Sequence, residues 1–285
     1  MLRPREIAPD IAVFPATTPT LPPATHTNSY ALGAREVLIV EPATPFEDEQ
    51  RAFIEWVRGL AAQGRRPVAL FVTHHHADHV GGAEVLSREL ALPLWGHSAT
   101  EQRLQSSLRA DFRLDRLLSE GDTLVLQGPR AQRWSVLHTP GHAPGHLCLH
   151  DSKSGYVVVG DMVASVGTIL IEPYDGDMTV YLEQLRRLAD LRAHCALPAH
   201  GEPILEPTRF FLHYVSHRLM RQDKVLGALR AAGAEGATPD ELLPIVYDDT
   251  PRSAWPLGLL SLQAHLQKLR AEGRAAERDG IFVAC

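Results

Sequence analysis

Apolar residues recur along this chain in two rhythms, and each place where one gives way to the other marks a change of element. Near the start, Ile11 to Phe14, Asn28 to Leu32 and Glu36 to Val40 are short runs bounded by Pro and Gly turn signals, and they predict strands. Between Pro45 and Gly64 the spacing changes. Phe53, Trp56, Val57 and Leu60 fall at i, i+3, i+4 and i+7, one face of an amphipathic helix that Gly64 ends. Pro67 to Val72 is an apolar run suited to a strand buried on both faces. It leads into Thr73-His-His-His-Ala-Asp-His79, and Gly81 and Gly82 are expected to permit a tight turn into a helix over Ala83 to Leu90.

Further strands are predicted at Pro93 to Gly96, Thr123 to Leu126, Trp134 to His138, Leu147 to His150 and Tyr156 to Val159, the last two joined as a hairpin around Asp151 to Gly155. Leu182, Leu185 and Leu188 mark a helix from about Thr179 to Leu191. Strand, helix, strands, helix describes an α/β or α+β sandwich with helices outside its sheets, and α+β is the class expected here. After His200 the texture is helical: His217 to Arg230, Pro239 to Val246 and Trp255 to Ala271, followed by a tail from Glu272 to Ala284 that reads as a small hairpin. The division implied is a large domain over 1–207 and a compact accessory domain over 208–285.

Composition narrows the class without naming it. With 45% hydrophobic and 22% charged residues the chain is an ordinary globular one. A net charge of −6 argues against gripping long nucleic acid through a broad basic face. Cys148, Cys195 and Cys285 are too few and too irregularly spaced for a disulfide framework, which points to a reducing compartment. No stretch has the continuous apolar character of a signal peptide or a membrane span, so the expectation is a cytoplasmic protein with no membrane partner.

The chemistry concentrates in His74-His75-His76-Ala77-Asp78-His79, an H-x-H-x-D-H string. Imidazole and carboxylate suit Zn²⁺, and a loop at a strand end can turn alternate side chains inward. On that geometry His74 and His76 serve one metal, while Asp78 and His79 reach a second. Two metals need more donors than one loop provides. His142 in Thr139-Pro-Gly-His, Asp161 in Val-Gly-Asp and His200 in Pro198-Ala-His-Gly each follow a predicted strand and can supply them.

In order and spacing this set resembles the metallo-β-lactamase superfamily over roughly residues 10 to 205. The resemblance implies an αββα sandwich in which His74, His76 and His142 hold metal one, Asp78, His79 and His200 hold metal two, and Asp161 bridges. It implies two divalent ions, zinc by default, with Fe or Mn accepted by the same donors. Paired cations lower the pKa of a shared water, so that a metal-bridging hydroxide is the nucleophile, with Asp78 to orient it and accept its proton. His146 is a candidate to orient a ligand, and His75 is expected to point away from the metals.

The tail, from His217-Arg-Leu-Met-Arg to Leu269-Arg-Ala-Glu-Gly-Arg-Ala, resembles that of a subfamily with a C-terminal winged helix, typified by a mitochondrial single-strand endoribonuclease. The string His74-His-His-Ala-Asp-His-Val-Gly-Gly82 is also similar to the glyoxalase II thioesterases. One reading is therefore hydrolysis of a small ester, thioester or lactone, with the winged helix capping the pocket or joining a homodimer. Another is cleavage of single-stranded RNA tracked by Arg218, Arg221, Lys224, Lys268, Arg270 and Arg274. Asp248, Asp249, Glu272, Glu277 and Asp279 nearly cancel that charge, which favours the small-molecule reading. A DNA-reading regulator would carry a more basic helix than Trp255 to Ala271. Glu172 and Tyr174, in the segment after Asp161, are candidates to line a substrate pocket.

Overall fold

The computed structural model describes residues 3–107 and 109–285. Strands β1 (Arg5–Ala8), β2 (Ile11–Ala16), β3 (Thr27–Leu32) and β4 (Glu36–Val40) are followed by helix α1 (Glu47–Ala62) and β5 (Arg66–Phe71). Helices α2 (Ala77–Val80) and α3 (Ala83–Leu90), β6 (Leu94–Gly96), α4 (Ser98–Ser106) and β7 (Arg116–Leu117) come next. A second series, β8 (Thr123–Leu126), β9 (Gln132–His138), β10 (Leu147–Asp151) and β11 (Tyr156–Gly160), precedes α5 (Met178–Asp190) and β12 (Cys195–Pro198). Helices α6 (Pro207–Ala232), α7 (Pro239–Val246) and α8 (Trp255–Ala271) and the strands β13 (Ala275–Arg278) and β14 (Ile281–Ala284) follow.

By contact the chain forms two units: residues up to Thr139 with Pro144–Thr168 and Arg192–Pro207, and Pro140–Ala143 with Ile169–Leu191 and Thr208–Cys285. The first unit holds a seven-stranded sheet in the order β1-β2-β3-β4-β5-β6-β7 and a five-stranded sheet in the order β12-β11-β10-β9-β8. β4, β5, β6 and β7 run parallel, and each crossover in that series is long enough to carry the helical segments a parallel pairing needs.

Side-chain alternation decides which face goes where. Ala12, Phe14, Val37, Ile39, Leu70 and Val72 point to one face of the seven-stranded sheet, where Phe53, Val57 and Leu60 of α1 meet them. Their neighbours Ile11, Val13, Leu38, Val40, Ala69 and Phe71 point the other way, into a core shared with Leu124, Trp134, Val136, Leu149 and Leu197 of the second sheet. β5 is thus buried on both sides, as its unbroken apolar run predicts. Each large side chain so enclosed, Phe53 for instance, contributes about 1.5–3 kcal/mol.

The second unit contains the winged helix. Val225, Leu226 and Leu229 of α6, Leu242, Leu243 and Val246 of α7, and Leu262, Leu266 and Leu269 of α8 close one small core with Phe282 of β14. Thr238 and Glu241 form a capping box at the start of α7. Among the described residues no helix is long and apolar enough to cross a membrane.

The structure differs from the sequence pattern in identifiable places. Helix α6 starts at Pro207 rather than near His217: Phe211, Tyr214 and Val215, at i, i+3 and i+4, are buried and carry the helix back beyond the predicted start. Helix α4 is capped by the His97 ring, which accepts from Ala99 N–H at 3.1 Å, and buries only Thr100 and Leu104, so it leaves almost no periodic signal. Strands β1 and β7 are likewise short and largely exposed.

Candidate metal centre

The histidine-rich loop leaves β5, an interior strand, at its C-terminal end, and its path is set within a few residues. His76 takes the N-cap position of α2, which puts Asp78 and His79 in the first turn of that helix. Gly81 and Gly82 serve this path differently from the expected conformational freedom, since Gly81 has φ −56° and Gly82 φ −100°. Their role is close approach. A Cβ on Gly81 would lie 2.7 Å from the Ala43 carbonyl oxygen, and one on Gly82 would lie 2.5 Å from that of Thr44.

Within the first unit the loop meets two further strand ends. Asp161 follows β11 and His200 follows β12, a parallel pair in register at Val158 and Leu197. Ligand atoms of Asp78, His79 and His200 all lie within 4.8 Å of one another. His200 Nε2 is 3.5 Å from Asp78 Oδ2 and 3.4 Å from Asp161 Oδ1, while His79 Nε2 is 3.5 Å from Asp161 Oδ2. These are long for hydrogen bonds. They match the spacing of two donors on one tetrahedral ion, where bonds of about 2.0–2.1 Å set donors about 3.3 Å apart. His74 Nε2 and His76 Nδ1, at 3.0 Å, form a second pair of ring nitrogens at close range.

His142 sits between β9 and β10, on the Pro140–Ala143 segment that groups with the second unit. The mouth of that hairpin is closed by Thr139 N–H to the His146 carbonyl at 2.9 Å, and Leu147 N–H donates to the Thr73 carbonyl at 2.9 Å, next to His74.

The other ring nitrogens show which tautomer each histidine holds. Nδ1 of His79 is 3.0 Å from Glu41 Oε1, Nδ1 of His142 is 2.9 Å from the Leu170 carbonyl, and Nδ1 of His200 is 3.1 Å from the His26 carbonyl. Nδ1 of His74 is 2.9 Å from Thr73 Oγ1, whose own proton goes to Glu41. Each partner is an acceptor, so each Nδ1 carries the hydrogen and each Nε2 keeps a lone pair for a cation.

Electrostatics agree with that reading. Burial works against charge on the His79 imidazole, yet the carboxylates of Asp161, Asp78 and Glu41 raise its pKa well above the ordinary histidine value. Burial is likewise overcome at His200, whose pKa is raised by Asp161. At Asp161 burial opposes ionisation, but His200 and His79 hold the carboxyl well below the usual range. The pocket is therefore a place of strong negative potential that favours a cation, a proton or a metal ion. Buried nitrogen and carboxylate donors of this kind fit a divalent ion.

Glu41, absent from the sequence-derived set, is buried, has φ 60°, and receives Thr73 and His79. Its signal was an acid closing the apolar strand Val37–Val40 directly before Pro42. Tyr174 is 79% exposed and lines a cleft of about 370 Å³ with Gln263, Gln267, Arg270 and Phe282; Glu172 is half-buried, and its carbonyl accepts from Gly176 N–H. His75 is half-buried, its ring 4.7 Å from that of His76. Cys148 is fully buried beside Thr139.

The fold and these candidate donors are those of a class of metal-dependent hydrolases. The chain belongs to the metallo-beta-lactamase superfamily, whose family model matches residues 22–200, and residues 238–281 match the beta-lactamase associated winged helix domain. It is 26% identical to a beta-lactamase-like protein 2 homolog of Drosophila melanogaster over 257 residues, 87% of this chain and 83% of that protein. Over 175 residues it is 33% identical to a hydroxyacylglutathione hydrolase of Xylella fastidiosa, covering 60% of this chain and 62% of the relative. An atrochrysone carboxyl ACP thioesterase of Aspergillus chevalieri is 26% identical over 88% of this chain and 77% of its own length. A beta-lactamase domain protein from Burkholderia ambifaria shares the fold, with TM-score 0.84, 22% identity and coverage of 99% of this chain and 93% of its own. TTHA1623, solved in a di-iron-bound form, superposes with TM-score 0.52 at 26% identity over 70% of this chain and 97% of its own.

Proposed function

We propose that the protein is a binuclear hydrolase acting on a small ester, thioester or lactone, with thioesters foremost. His74, His76 and His142 are assigned to one ion, Asp78, His79 and His200 to the other, and Asp161 to the position between them. The domains on this reading are a catalytic one over 1–207 and a winged-helix one over 208–285. The observation that carries the reading is the shared tautomer of His74, His79, His142 and His200, each held at Nδ1 so that Nε2 is available as a donor.

Two divalent ions, when bound, supply a water of lowered pKa and polarise a substrate carbonyl. The remaining work belongs to the chain. Asp78, in the first turn of α2, is partly exposed, which suits it to take a proton from water and to pass it on to the leaving thiol or alcohol. Glu41 and the carbonyls of His26 and Leu170 keep the histidine rings from turning. Zinc is the default occupant; the di-iron form of a relative makes iron a direct competitor for the same donors.

Thioesters lead because two relatives are named for hydrolysis of such bonds, one a hydroxyacylglutathione hydrolase and one an ACP thioesterase. The RNA reading is disfavoured by the tail itself. Lys224 pairs with Asp248 and Asp249, Arg221 with Asp249, Lys268 and Arg274 with Glu272, and Arg270 with Glu277, while Arg218 is buried. Cations already matched to carboxylates have little left for a phosphate backbone.

The test is a substrate panel run on metal-loaded protein: thioesters, lactones, simple esters and fluorescent single-stranded RNA. The expected result is thioester turnover with kcat/KM above about 10⁴ M⁻¹s⁻¹, lost in His76→Ala. Salt-sensitive RNA cleavage lost in the same variant, without thioester turnover, would reverse the assignment.

A further inference from the structure

His146 stands outside the assigned donors, yet it is fully buried and both ring nitrogens are engaged. Its Nε2 accepts the backbone N–H of Asp161 at 3.1 Å, and its Nδ1 lies 2.8 Å from Thr139 Oγ1. An amide can only donate, so Nε2 holds a lone pair; the neutral ring therefore carries its hydrogen on Nδ1 and donates it to the threonine hydroxyl. A ring committed in this way is a strut between the β9–β10 turn and the end of β11.

The backbone it touches is built around it. Gly160 has φ +47°, and a Cβ there would lie 2.6 Å from His146 Nε2 and 3.1 Å from Thr73 Oγ1. The Gly160–Asp161 peptide therefore sits against the imidazole with no space for a side chain. From the other side, Ala199 N–H donates to the Gly160 carbonyl at 3.1 Å, in the segment that leads to His200. Glycine at 160 leaves that peptide free to rotate in principle, and rotation would swing the Asp161 carboxylate away from both His79 and His200.

We infer that His146 is the positioning residue for Asp161: by accepting its N–H, the imidazole fixes the peptide plane from which the carboxylate projects toward His79 and His200. The inference rests on the binuclear reading above; both Asp161 oxygens face donors assigned to one of the two ions, Oδ1 3.4 Å from His200 Nε2 and Oδ2 3.5 Å from His79 Nε2. Loss of the ring should therefore act mainly on the ion assigned to Asp78, His79 and His200, the second to bind, rather than on the one assigned to His74, His76 and His142.

Two substitutions separate the roles of the two nitrogens. Gln at 146 can present an acceptor near the Nε2 position, whereas the shorter Asn reaches only the Nδ1 position. With zinc added stepwise against a chromophoric chelator, His146→Asn is expected to bind the first ion within about threefold of wild type and the second about 10–100-fold more weakly. His146→Gln is expected to recover most of that loss. Should His146→Asn fail to fold, Thr139→Ala replaces it; that variant keeps the ring but removes the acceptor that sets its tautomer, and should weaken the second ion alone by about threefold to tenfold. Unchanged binding of both ions in His146→Asn, equal loss of both, or no recovery in His146→Gln overturns the inference; where Thr139→Ala stands in, so does unchanged binding there. A wild-type chain that takes up one ion, seen before any variant is compared, overturns the binuclear reading instead.

Discussion

His79 and Glu41 face each other across 3.0 Å, Nδ1 to Oε1, with both side chains buried and Thr73 donating to the same carboxylate. The pair ties the end of β4 to the first turn of α2. A carboxylate behind a ligating imidazole fixes its orientation and makes it a stronger donor, and loss of such a partner typically costs 10–100-fold in metal affinity. Glu41→Gln keeps an acceptor but removes the charge, so chelator competition should show about tenfold weaker retention of one ion. Glu41→Ala should weaken it further and also lower folding stability by about 1–3 kcal/mol in urea titration, because Thr73 and His79 lose a buried partner. Metal retention equal to wild type in both variants would remove Glu41 from the site.

Asp78 offers a second handle. Asp78→Asn preserves size and the α2 turn but removes the base, so kcat should fall by about 10²–10⁴-fold with little change in thermal midpoint. Near-normal kcat with both ions retained would contradict the role given to this carboxylate.

How far the chain could be read without its structure depends on how each feature is encoded. Strands β4, β5, β10 and β11 were legible because their short runs are rich in apolar residues, and His74 to His79 and Asp161 were nominated as candidate donors because they directly follow two of those runs, β5 and β11. Glu41 was not, since an acid after a strand looks like any turn residue until the path of the chain brings Thr73 and His79 to it. The glycines of His79-Val-Gly-Gly82 were legible as necessary, but the reason was misread: the constraint is the carbonyls of Ala43 and Thr44, supplied by a segment remote in sequence. Helix α6 was legible only from His217 on; its first turns bury Phe211, Tyr214 and Val215, and further along Arg218, Arg221 and Gln222 form a buried polar seam where helical periodicity assumes apolar residues.

That polar seam carries a pH prediction. His265 of α8 is fully buried, neither ring nitrogen has a hydrogen-bond partner among the described residues, and Arg218, Arg221 and His217 of α6 and Lys268 of α8 surround it. Burial, followed by those cations, pushes its pKa down to about 3. Because the folded value lies below the unfolded value of about 6.5, the unfolded state binds the proton first, and stability is lost as pH falls through and below about 6.5. Comparing thermal midpoints at pH 7.5 and pH 5, wild type should lose more than His265→Leu, which has no proton to take up. An equal loss in the two proteins would show that this ring does not set the acid limb.

The central claim is tested most directly by counting ions. Elemental analysis of purified, zinc-reconstituted protein after equilibrium dialysis should give about two ions per chain for wild type and about one for His200→Ala, with His74→Ala also losing one. A wild-type chain that holds one ion, or a His200→Ala chain that still holds two, would contradict the account.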